Sequence, residues 1–257
     1  MFIYDALADF YDSWASADPA CLPSEAFYRQ FCLSTSGILV EIGIGTGRVA
    51  LKLAKAGCQV IGIDVSEPML AACQQKADEH NLSDRLILCR MDAQNLGLRN
   101  IDLITLPFRT LGHFTSYKAR HNLFSQVHAA LSPNGYFVFD HYIFDYAWAE
   151  AHDGIPRLMY HTFSAEGGYL IWDTYKYDFA SGLMDCVITI ERTNLEGIVM
   201  KRRHTAFPFA WVAVEEVKDI AADVGFRVEA LYGDFNCGVF SQEASDQVWI
   251  LRKVETG

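Results

Sequence analysis

The chain has 257 residues, of which 51% are hydrophobic and 21% are charged, so it can bury a substantial core and is not a disordered segment. Its formal net charge of −11 disfavours a duplex nucleic-acid partner, because phosphate contacts need clustered lysine and arginine. No apolar run approaches the length of a membrane span, and the first residues lack the basic start of a signal peptide. We therefore expect a cytoplasmic protein.

The cysteines give no sign of a structural framework. Seven of them are scattered along the chain, and none forms a C-x-x-C pair. An odd, unpatterned set is typical of reduced thiols in a cytosol. The sequence therefore predicts neither disulfides nor a metal site.

The first predicted element is an amphipathic helix over residues 2–14, where apolar side chains recur at helical spacing. A break at residues 18–23 separates it from a second helix over residues 25–33, for which Ser24 is the expected N-cap.

A glycine-rich turn follows the first predicted strand. Residues 37–42 form a short apolar run that is typical of a buried strand, and residues 48–56 repeat apolar side chains at helical spacing. Between these elements Gly43, Gly45 and Gly47 alternate after Glu41. Glycine lets a ligand approach the backbone closely, and amides at a helix start can donate to an anion or polar group. We expect a nucleotide or nucleoside there; the alternative is a tight turn without a ligand.

The spacing of the glycines helps to identify the ligand. A dinucleotide-binding fingerprint has the spacing G-x-G-x-x-G, and Arg48 occupies its third glycine position here, which counts against NAD. The pattern Glu-x-Gly-x-Gly-Thr-Gly-Arg resembles the first motif of the class I S-adenosylmethionine (SAM)-dependent methyltransferases. The resemblance implies SAM as cofactor and S-adenosyl-L-homocysteine as product. It places Glu41 near the methionine part of the cofactor and the three glycines beneath it.

A carboxylate ends the next predicted strand, residues 59–63. In open doubly wound sheets ligands bind outside the carboxyl ends of the strands, so Asp64 can accept from both hydroxyls of a ribose. The position is similar to the family's second motif. The alternative is a helix N-cap, a role that Ser66 can already fill. Val65 and Met69 are expected to cover the adenine, although Met69 could be plain core.

The third predicted strand, residues 86–89, leads to a further polar position. The resemblance implies that Asp92 accepts from the exocyclic amine of adenine and that the amide of Ala93 meets a ring nitrogen. An acid in a loop is common, so an ordinary loop position is the alternative.

The fourth predicted strand, residues 102–106, ends beside the glycine turn at Leu106, which we expect to contact the cofactor. The segment that follows lacks the Asn/Asp-Pro-Pro-Tyr tetrad of the nucleic-acid and protein-amide N-methyltransferases. It is similar instead to the Phe-x-Ser/Thr-x-Gly-His stretch of small-molecule enzymes such as sugar-amine N-methyltransferases. This resemblance implies that Phe108, Arg109 and His113 border the methyl acceptor.

Two positions are candidates for catalysis. With an ordinary pKa near 6.5, His113 could take a proton from the acceptor near neutral pH, or it could simply bond a backbone group. Tyr11 belongs to a Tyr-Asp pair that looks like the opening of many small-molecule methyltransferases, where the tyrosine closes over cofactor and acceptor. Its alternative is a core position of the first helix. His141 and Tyr142, after the fifth predicted strand (residues 136–139), are further acceptor contacts.

From residue 143 the alternation of helices and strands stops. Residues 158–164, 169–179, 183–193 and 198–211 are β-rich runs separated by hairpin signals. They resemble the antiparallel layer that small-molecule methyltransferases insert to cover the acceptor. Trp172 is expected to contact the acceptor, with Tyr175 and Tyr177 aromatic enough to line the same pocket. The same layer could instead form a homodimer interface.

The sequence thus predicts an α/β fold, a doubly wound, seven-stranded, Rossmann-like sheet with an antiparallel β insertion between the fifth and sixth strands. Residues 1–142 and 214–257 form the predicted SAM-binding core, and residues 143–213 the insertion. The expected activity is SAM-dependent methyl transfer to nitrogen or oxygen of a small molecule, without nucleic-acid or membrane partners. A SAM-binding sensor or pseudo-enzyme and an NAD-linked oxidoreductase are the alternatives.

Overall fold

The computed structural model describes residues 3–35, 37–164 and 167–254. Within these residues the α-helices are α1 (Tyr11–Ser16), α2 (Cys21–Ser34), α3 (Ala50–Lys55), α4 (Glu67–Glu79), α5 (Tyr117–Ala130), α6 (Tyr146–His152) and α7 (Val214–Val224). The strands are β1 (Leu39–Ile42), β2 (Val60–Asp64), β3 (Leu86–Arg90), β4 (Ile101–Leu106), β5 (Leu131–Tyr142), β6 (Arg157–Ser164), β7 (Gly167–Asp178), β8 (Leu183–Thr193), β9 (Val199–Ala210), β10 (Phe226–Tyr232) and β11 (Asp246–Lys253). Short 3-10 turns span Ile3–Ala6, Ala93–Asn95 and Thr110–His113.

The larger sheet has the strand order β10-β11-β5-β4-β1-β2-β3, seven strands within the described residues. Strands β1 to β5 are parallel, and β11 and β10 complete the sheet in antiparallel pairs. The chain enters the sheet at β1, in its middle, and adds β2 and β3 toward one edge. It then crosses to β4 on the other side of β1. Ligands of open α/β sheets bind at such a reversal, outside the carboxyl ends of the strands. The predicted doubly wound, seven-stranded sheet is confirmed.

Local sequence explains where the elements of this sheet begin and end. All four residues of β1 are buried, because helices cover both faces of a parallel sheet. Helix α4 begins after Ser66, whose Oγ accepts from the Met69 amide at 3.3 Å, and Pro68 lies in its first turn. Helix α7 ends at Gly225, which adopts the left-handed conformation that stops a helix (φ 97°).

The N-terminal predictions need correction. In place of one helix over residues 2–14, the described part has a 3-10 turn and the short helix α1, while Phe2 lies outside the described residues. Helix α2 begins at Cys21, so Ser24 lies inside it and is not its cap. Pro23 is tolerated because amides of the first turn have no partner within the helix. Helix α6 was not predicted.

The second sheet is an antiparallel meander with the order β6-β7-β8-β9, four strands within the described residues. All four strands fall within the predicted insertion of residues 143–213. One face of this sheet packs against the N-terminal segment through an apolar cluster that includes Leu7, Met69 and Ile188. The division of the chain at residues 142 and 214 stays a prediction. Among the described residues, no helix combines the length and low polarity that a membrane crossing needs.

Candidate functional site

A cavity of about 760 Å³ lies between the two sheets. Ile42 and Asp64, at the carboxyl ends of β1 and β2, line one part of it. Met184 of β8 and Phe207 of β9 line another part. The cavity therefore joins the edge of the parallel sheet, where a nucleotide is expected, to the covering antiparallel sheet.

The three glycines of the turn differ in their roles. Gly43, Gly45 and Gly47 all have positive φ (68°, 55° and 86°), which other residues adopt rarely. Gly43 and Gly45 line the cavity. A Cβ at Gly45 would have Tyr11 as its nearest side-chain neighbour, at 3.9 Å, so this position leaves room for a ligand. A Cβ at Gly47 would overlap Cys73 Sγ at 2.5 Å, so Gly47 serves helix packing and does not line the cavity.

Two predicted cofactor contacts lie behind the cavity wall. Glu41 and Leu106 are almost completely buried, and neither is among the residues that line the cavity. Burial raises the pKa of Glu41 to about 8, although the charge of Arg48 opposes this shift. Glu41 is therefore largely protonated at neutral pH. A direct contact of either residue with a cofactor stays a prediction.

Asp64 is fixed at the cavity wall by backbone groups. Its Oδ2 accepts from the Gly45 amide and its Oδ1 from the Ser66 amide, both at 2.9 Å. Burial raises the pKa of Asp64, and these two hydrogen bonds oppose the shift. Each carboxylate oxygen retains a further acceptor site, so the side chain can accept from two adjacent hydroxyls of a ligand. Val65 and Met69 line the cavity beside it, and their contact with an adenine stays a prediction.

The loop after β3 also reaches the cavity. Asp92 and Ala93 line it, together with Met91 and Gln94, which the sequence analysis did not select. Asp92 Oδ1 accepts from the Gln94 amide at 2.9 Å and so caps the 3-10 turn at Ala93–Asn95. The structure thus gives Asp92 the capping role and leaves its second carboxylate oxygen for a ligand.

The loop after β4 has an unusual backbone. Phe108 and Arg109 both line the cavity, and both adopt left-handed conformations, with φ of 59° and 62°. Asp140, which is completely buried, accepts from the Phe108 amide at 2.7 Å and from the Arg109 amide at 2.9 Å. It also accepts from the Tyr28 hydroxyl at 2.6 Å. One buried carboxylate therefore holds two strained residues at the cavity wall, a role that the sequence analysis missed.

The side chain of Arg109 forms ion pairs with two carboxylates. Its Nη1 lies 2.6 Å from Asp18 Oδ2 and its Nη2 lies 3.7 Å from Asp246 Oδ1. Its guanidinium carbon also lies 5.7 Å from the centre of the Tyr142 ring. Arg109 thus links the N-terminal segment to the end of the sheet at the cavity wall.

The N-terminal segment, residues 3–18, covers part of the cavity with Tyr4, Tyr11 and Trp14. Three of its four aspartates attach it to the larger sheet and its helices. Asp5 accepts from Ser66 Oγ at 2.7 Å, Asp12 accepts from Thr46 Oγ1 at 2.5 Å and pairs with Lys76, and Asp18 pairs with Arg109. Tyr11 thus lines the cavity, and its role over a cofactor and acceptor stays a prediction.

His113 lies in an aromatic environment. Its Nε2 is 3.0 Å from the Tyr4 hydroxyl, and its ring packs edge-on against Phe209 with centroids 4.9 Å apart. Burial lowers the pKa of His113 to about 4. The expectation of an ordinary pKa near 6.5 therefore needs correction: the imidazole is neutral at neutral pH and can accept the Tyr4 hydroxyl proton in a hydrogen bond.

This lowered pKa predicts a pH dependence of stability. Between pH 6.5 and about 4 the unfolded chain protonates His113 and the folded protein does not, so the free energy of unfolding falls as the pH falls. His113→Phe should remove a loss on the order of 3 kcal/mol over this range. Urea unfolding at a series of pH values measures the difference between variant and wild type. His161→Phe, at an exposed position of β6, is the control. If the free energy of unfolding of wild type and of His113→Phe fell in parallel with pH, the prediction would be contradicted.

His141, Tyr142 and Trp172 occupy three different environments. Tyr142 lines the cavity. His141 is completely buried beside it, does not line the cavity, and has its pKa lowered to about 3, mainly by burial. Trp172 is also absent from the lining, and its Nε1 donates to Glu191 Oε2 at 3.1 Å. Acceptor contacts by His141 and Trp172 stay predictions without support from this arrangement.

The part of the cavity under the antiparallel sheet is mostly aromatic. It is lined by Tyr4, Trp14, Phe144, Trp148, Tyr175, Tyr177, Phe207 and Phe209. Trp14 Nε1 and the Tyr142 hydroxyl are buried and have no hydrogen-bond partner within the described residues. Buried polar groups are normally paired, so these two are exceptions among the residues beside the cavity.

The part of the chain that surrounds the glycine turn is similar to known proteins. Residues 39–135 match the family model described as a methyltransferase domain. This part of the chain is therefore similar to methyltransferase domains. YqeM of Bacillus subtilis (strain 168), named as a methyltransferase, is 28% identical over 142 residues, which are 54% of this chain and 52% of that protein. The chain spans about half the length of the curated relatives that it matches.

Solved structures extend the likeness of the methyltransferase domain to the whole fold. The CcbJ methyltransferase from Streptomyces caelestis has a TM-score of 0.79 at 21% identity and covers 97% of this chain and 96% of that one. CalS10 from Micromonospora echinaspora, an amino pentose methyltransferase with SAM bound, has a TM-score of 0.64 at 15% identity, with 99% and 92% covered. The predicted resemblance to class I SAM-dependent methyltransferases is confirmed.

Proposed function

We propose that this protein transfers a methyl group from SAM to a nitrogen or oxygen atom of a small molecule. The observation that carries the proposal is the Asp64 carboxylate, held at the cavity wall by the Gly45 amide inside a methyltransferase domain. The carboxylate has acceptor sites left for two ribose hydroxyls. The glycine turn beside it leaves room for the rest of the cofactor.

The residues of the cavity fit SAM. Gly43 and Gly45 would lie beneath the methionine part, and Asp64 would hold the ribose. Val65 and Met69 would cover the adenine, near Asp92 and Ala93. Support for a SAM site also comes from the solved relative CalS10, in which SAM is bound.

Positioning supplies most of the rate in such a reaction. When bound, SAM would supply a methyl group on a sulfonium, which a lone pair of the acceptor can attack while the neutral thioether of S-adenosylhomocysteine leaves. His113 is neutral and accepts from Tyr4, so the Tyr4 oxygen can accept in turn from an N–H or O–H of the acceptor. Tyr11 lies at the same wall. These groups orient the lone pair of an acceptor that arrives uncharged.

The cavity between the sheets, with its many aromatic side chains, supports a small-molecule acceptor. The relatives CcbJ and CalS10 are methyltransferases, and CalS10 acts on an amino pentose. The net charge of −11 disfavours nucleic acid as a substrate. We also propose that the protein is cytoplasmic and that it forms a homodimer.

Calorimetry and product formation test this function together. SAM and S-adenosylhomocysteine should bind, and NAD should not, because Arg48 replaces the third glycine of the dinucleotide fingerprint. A panel of amines, phenols and amino sugars should then yield a methylated product with labelled SAM. Tight binding of NAD alone would overturn the cofactor assignment. SAM binding without product across the panel would favour the sensor.

His113→Phe separates binding from chemistry in the same assay. We expect its SAM affinity to equal that of wild type, because His113 contacts Tyr4 and aromatic rings and none of the proposed donor-binding residues. Methyl transfer should fall by about ten- to a thousand-fold, since the Tyr4 hydroxyl loses its partner. Full retention of activity would remove both residues from the proposed orienting role.

A further inference from the structure

The cavity contains a guanidinium that the proposed methyl transfer does not use. Arg157, the first residue of β6, lines the cavity. It pairs in register with Asp173 on the adjacent strand β7. Its Nε donates to Asp173 Oδ1 at 3.1 Å and its Nη2 to Asp173 Oδ2 at 2.9 Å. One edge of the guanidinium is therefore bound side-on to the carboxylate.

The two partners differ in their access to the cavity. The side chain of Asp173 is 1% exposed, whereas that of Arg157 is 32% exposed. Asp173 Oδ2 also accepts from the Tyr175 hydroxyl at 2.7 Å, so the carboxylate is fixed from two directions. Asp173 is therefore the interior support, and Arg157 is the group that a ligand can meet.

Two aromatic rings fix the guanidinium further. Its central carbon lies 4.5 Å from the centre of the Trp148 ring and 5.2 Å from that of Tyr175. Trp148 belongs to α6, whose first turn is capped by Asp145, which accepts from the Trp148 amide at 2.9 Å. Aromatic faces favour a planar cation, so the orientation of Arg157 is set before any ligand binds.

The other edge of the guanidinium keeps its donors. Arginine has five N–H groups, and the bonds to Asp173 use those on Nε and Nη2. Nη1 has no hydrogen-bond partner within the described residues. Arg109, the other arginine that lines the cavity in the described part of the chain, has both of its terminal nitrogens paired with acids. An end-on guanidinium edge matches the two oxygens of a carboxylate.

We propose that Arg157 binds a carboxylate of the methyl acceptor. This inference rests on the proposed function and specifies its substrate class. The acceptor has an apolar or aromatic body, a nitrogen or oxygen atom that receives the methyl group, and a carboxylate. Asp173 and Trp148 are positioning residues, because they orient Arg157 and do not themselves meet the carboxylate. Asp173 already balances the charge of Arg157, so the selectivity comes from two directed hydrogen bonds.

The test uses a matched pair of probes, 3-phenylpropanoate and 3-phenylpropanamide, which differ in the carboxylate alone. Calorimetry measures their binding to the protein saturated with S-adenosylhomocysteine. We expect the propanoate to bind wild type about tenfold or more tightly than the amide, because charge-assisted bidentate bonds are lost in the amide. Arg157→Gln should bind both probes equally.

Two further variants show whether a loss of preference is due to misfolding or to the missing guanidinium. Arg157→Gln leaves Asp173 buried without a charged partner, so the double variant Arg157→Gln/Asp173→Asn keeps the interior neutral and should also fail to discriminate. Arg202→Gln is the matched control. Arg202 pairs with Glu191 on the same sheet, away from the cavity lining, so its loss should leave the tenfold preference intact.

The outcomes separate this inference from the proposed function. Equal binding of the two probes to wild type, no binding of either probe, or a preference that survives in both Arg157 variants would overturn the carboxylate site. Failure of S-adenosylhomocysteine to bind wild type would instead overturn the proposed function. That titration is made first and without probes.

Discussion

Asp64→Ala should weaken SAM binding by about 1 to 3 kcal/mol, which is roughly a 5- to 150-fold loss of affinity. The proposed ribose hydroxyls would lose their acceptor, and the Gly45 and Ser66 amides would lose theirs. Asp64→Asn should also lose affinity, because one acceptor oxygen becomes an amide donor that faces a backbone N–H or a hydroxyl. Calorimetry with SAM and with S-adenosylhomocysteine measures both variants.

Asp84→Ala is the control for this measurement. It removes the same charge from an exposed position before β3 and should leave SAM affinity unchanged. If Asp64→Ala binds SAM as tightly as this control does, the ribose lies elsewhere. A loss of affinity with an unchanged free energy of unfolding would show that Asp64 acts on the ligand directly.

Asp140→Asn should reduce the free energy of unfolding by about 2 to 4 kcal/mol, because a buried carboxylate that accepts from three donors is replaced by a group that is half donor. The left-handed backbone of Phe108 and Arg109 then loses the contacts that hold it in place. Methyl transfer should fall as well, since both residues line the cavity. Urea unfolding and turnover with labelled SAM measure the two effects.

Two variants calibrate this result. Tyr28→Phe removes one of the three donors and leaves both backbone amides bonded, so its loss should be smaller, about 1 to 2 kcal/mol. Asp145→Asn changes a carboxylate that caps α6, where asparagine serves as well, and should change the stability little. A stability of Asp140→Asn equal to that of Asp145→Asn would rule out the proposed support of the Phe108–Arg109 backbone.

The parallel sheet was predictable because each of its strands is a short apolar run between helical repeats. The first strand was expected over residues 37–42 and is observed at Leu39–Ile42. The N-terminal helix was not predictable in the same way. Residues 3–18 cross the cavity, and contacts such as Asp5 with Ser66 determine their course more than local helix propensity does.

Alternation along β7 contained a signal that the sequence analysis did not use. Successive side chains of a strand point to opposite faces, so Trp172 cannot share a face with Tyr175 and Tyr177. The structure shows this separation: the two tyrosines line the cavity, and Trp172 bonds to Glu191 away from it. The parity of residue numbers would have excluded Trp172 and selected Asp173.

The roles of Asp140 and Arg157 could not be read from the sequence. Asp140 acts through Phe108 and Arg109. A left-handed conformation is rare for residues other than glycine, so the sequence does not predict it at these two positions. Arg157 depends on α6 and on a carboxylate of the next strand, both of which become its neighbours only when the second sheet forms. Long-range contacts of this kind have no local signature.

The cover formed by residues 3–18 has a consequence for the timing of turnover. In the proposed complex, Tyr11 and Trp14 lie over part of the ligands, so the segment would slow the exchange of the spent donor. Asp5, Asp12 and Asp18 hold the segment in place, and the ion pair of Asp12 with Lys76 is more open to solvent than that of Asp18 with Arg109. Added salt weakens such a pair. The residence time of the bound product cofactor, and with it the turnover rate, would therefore depend on ionic strength even where the chemical step does not.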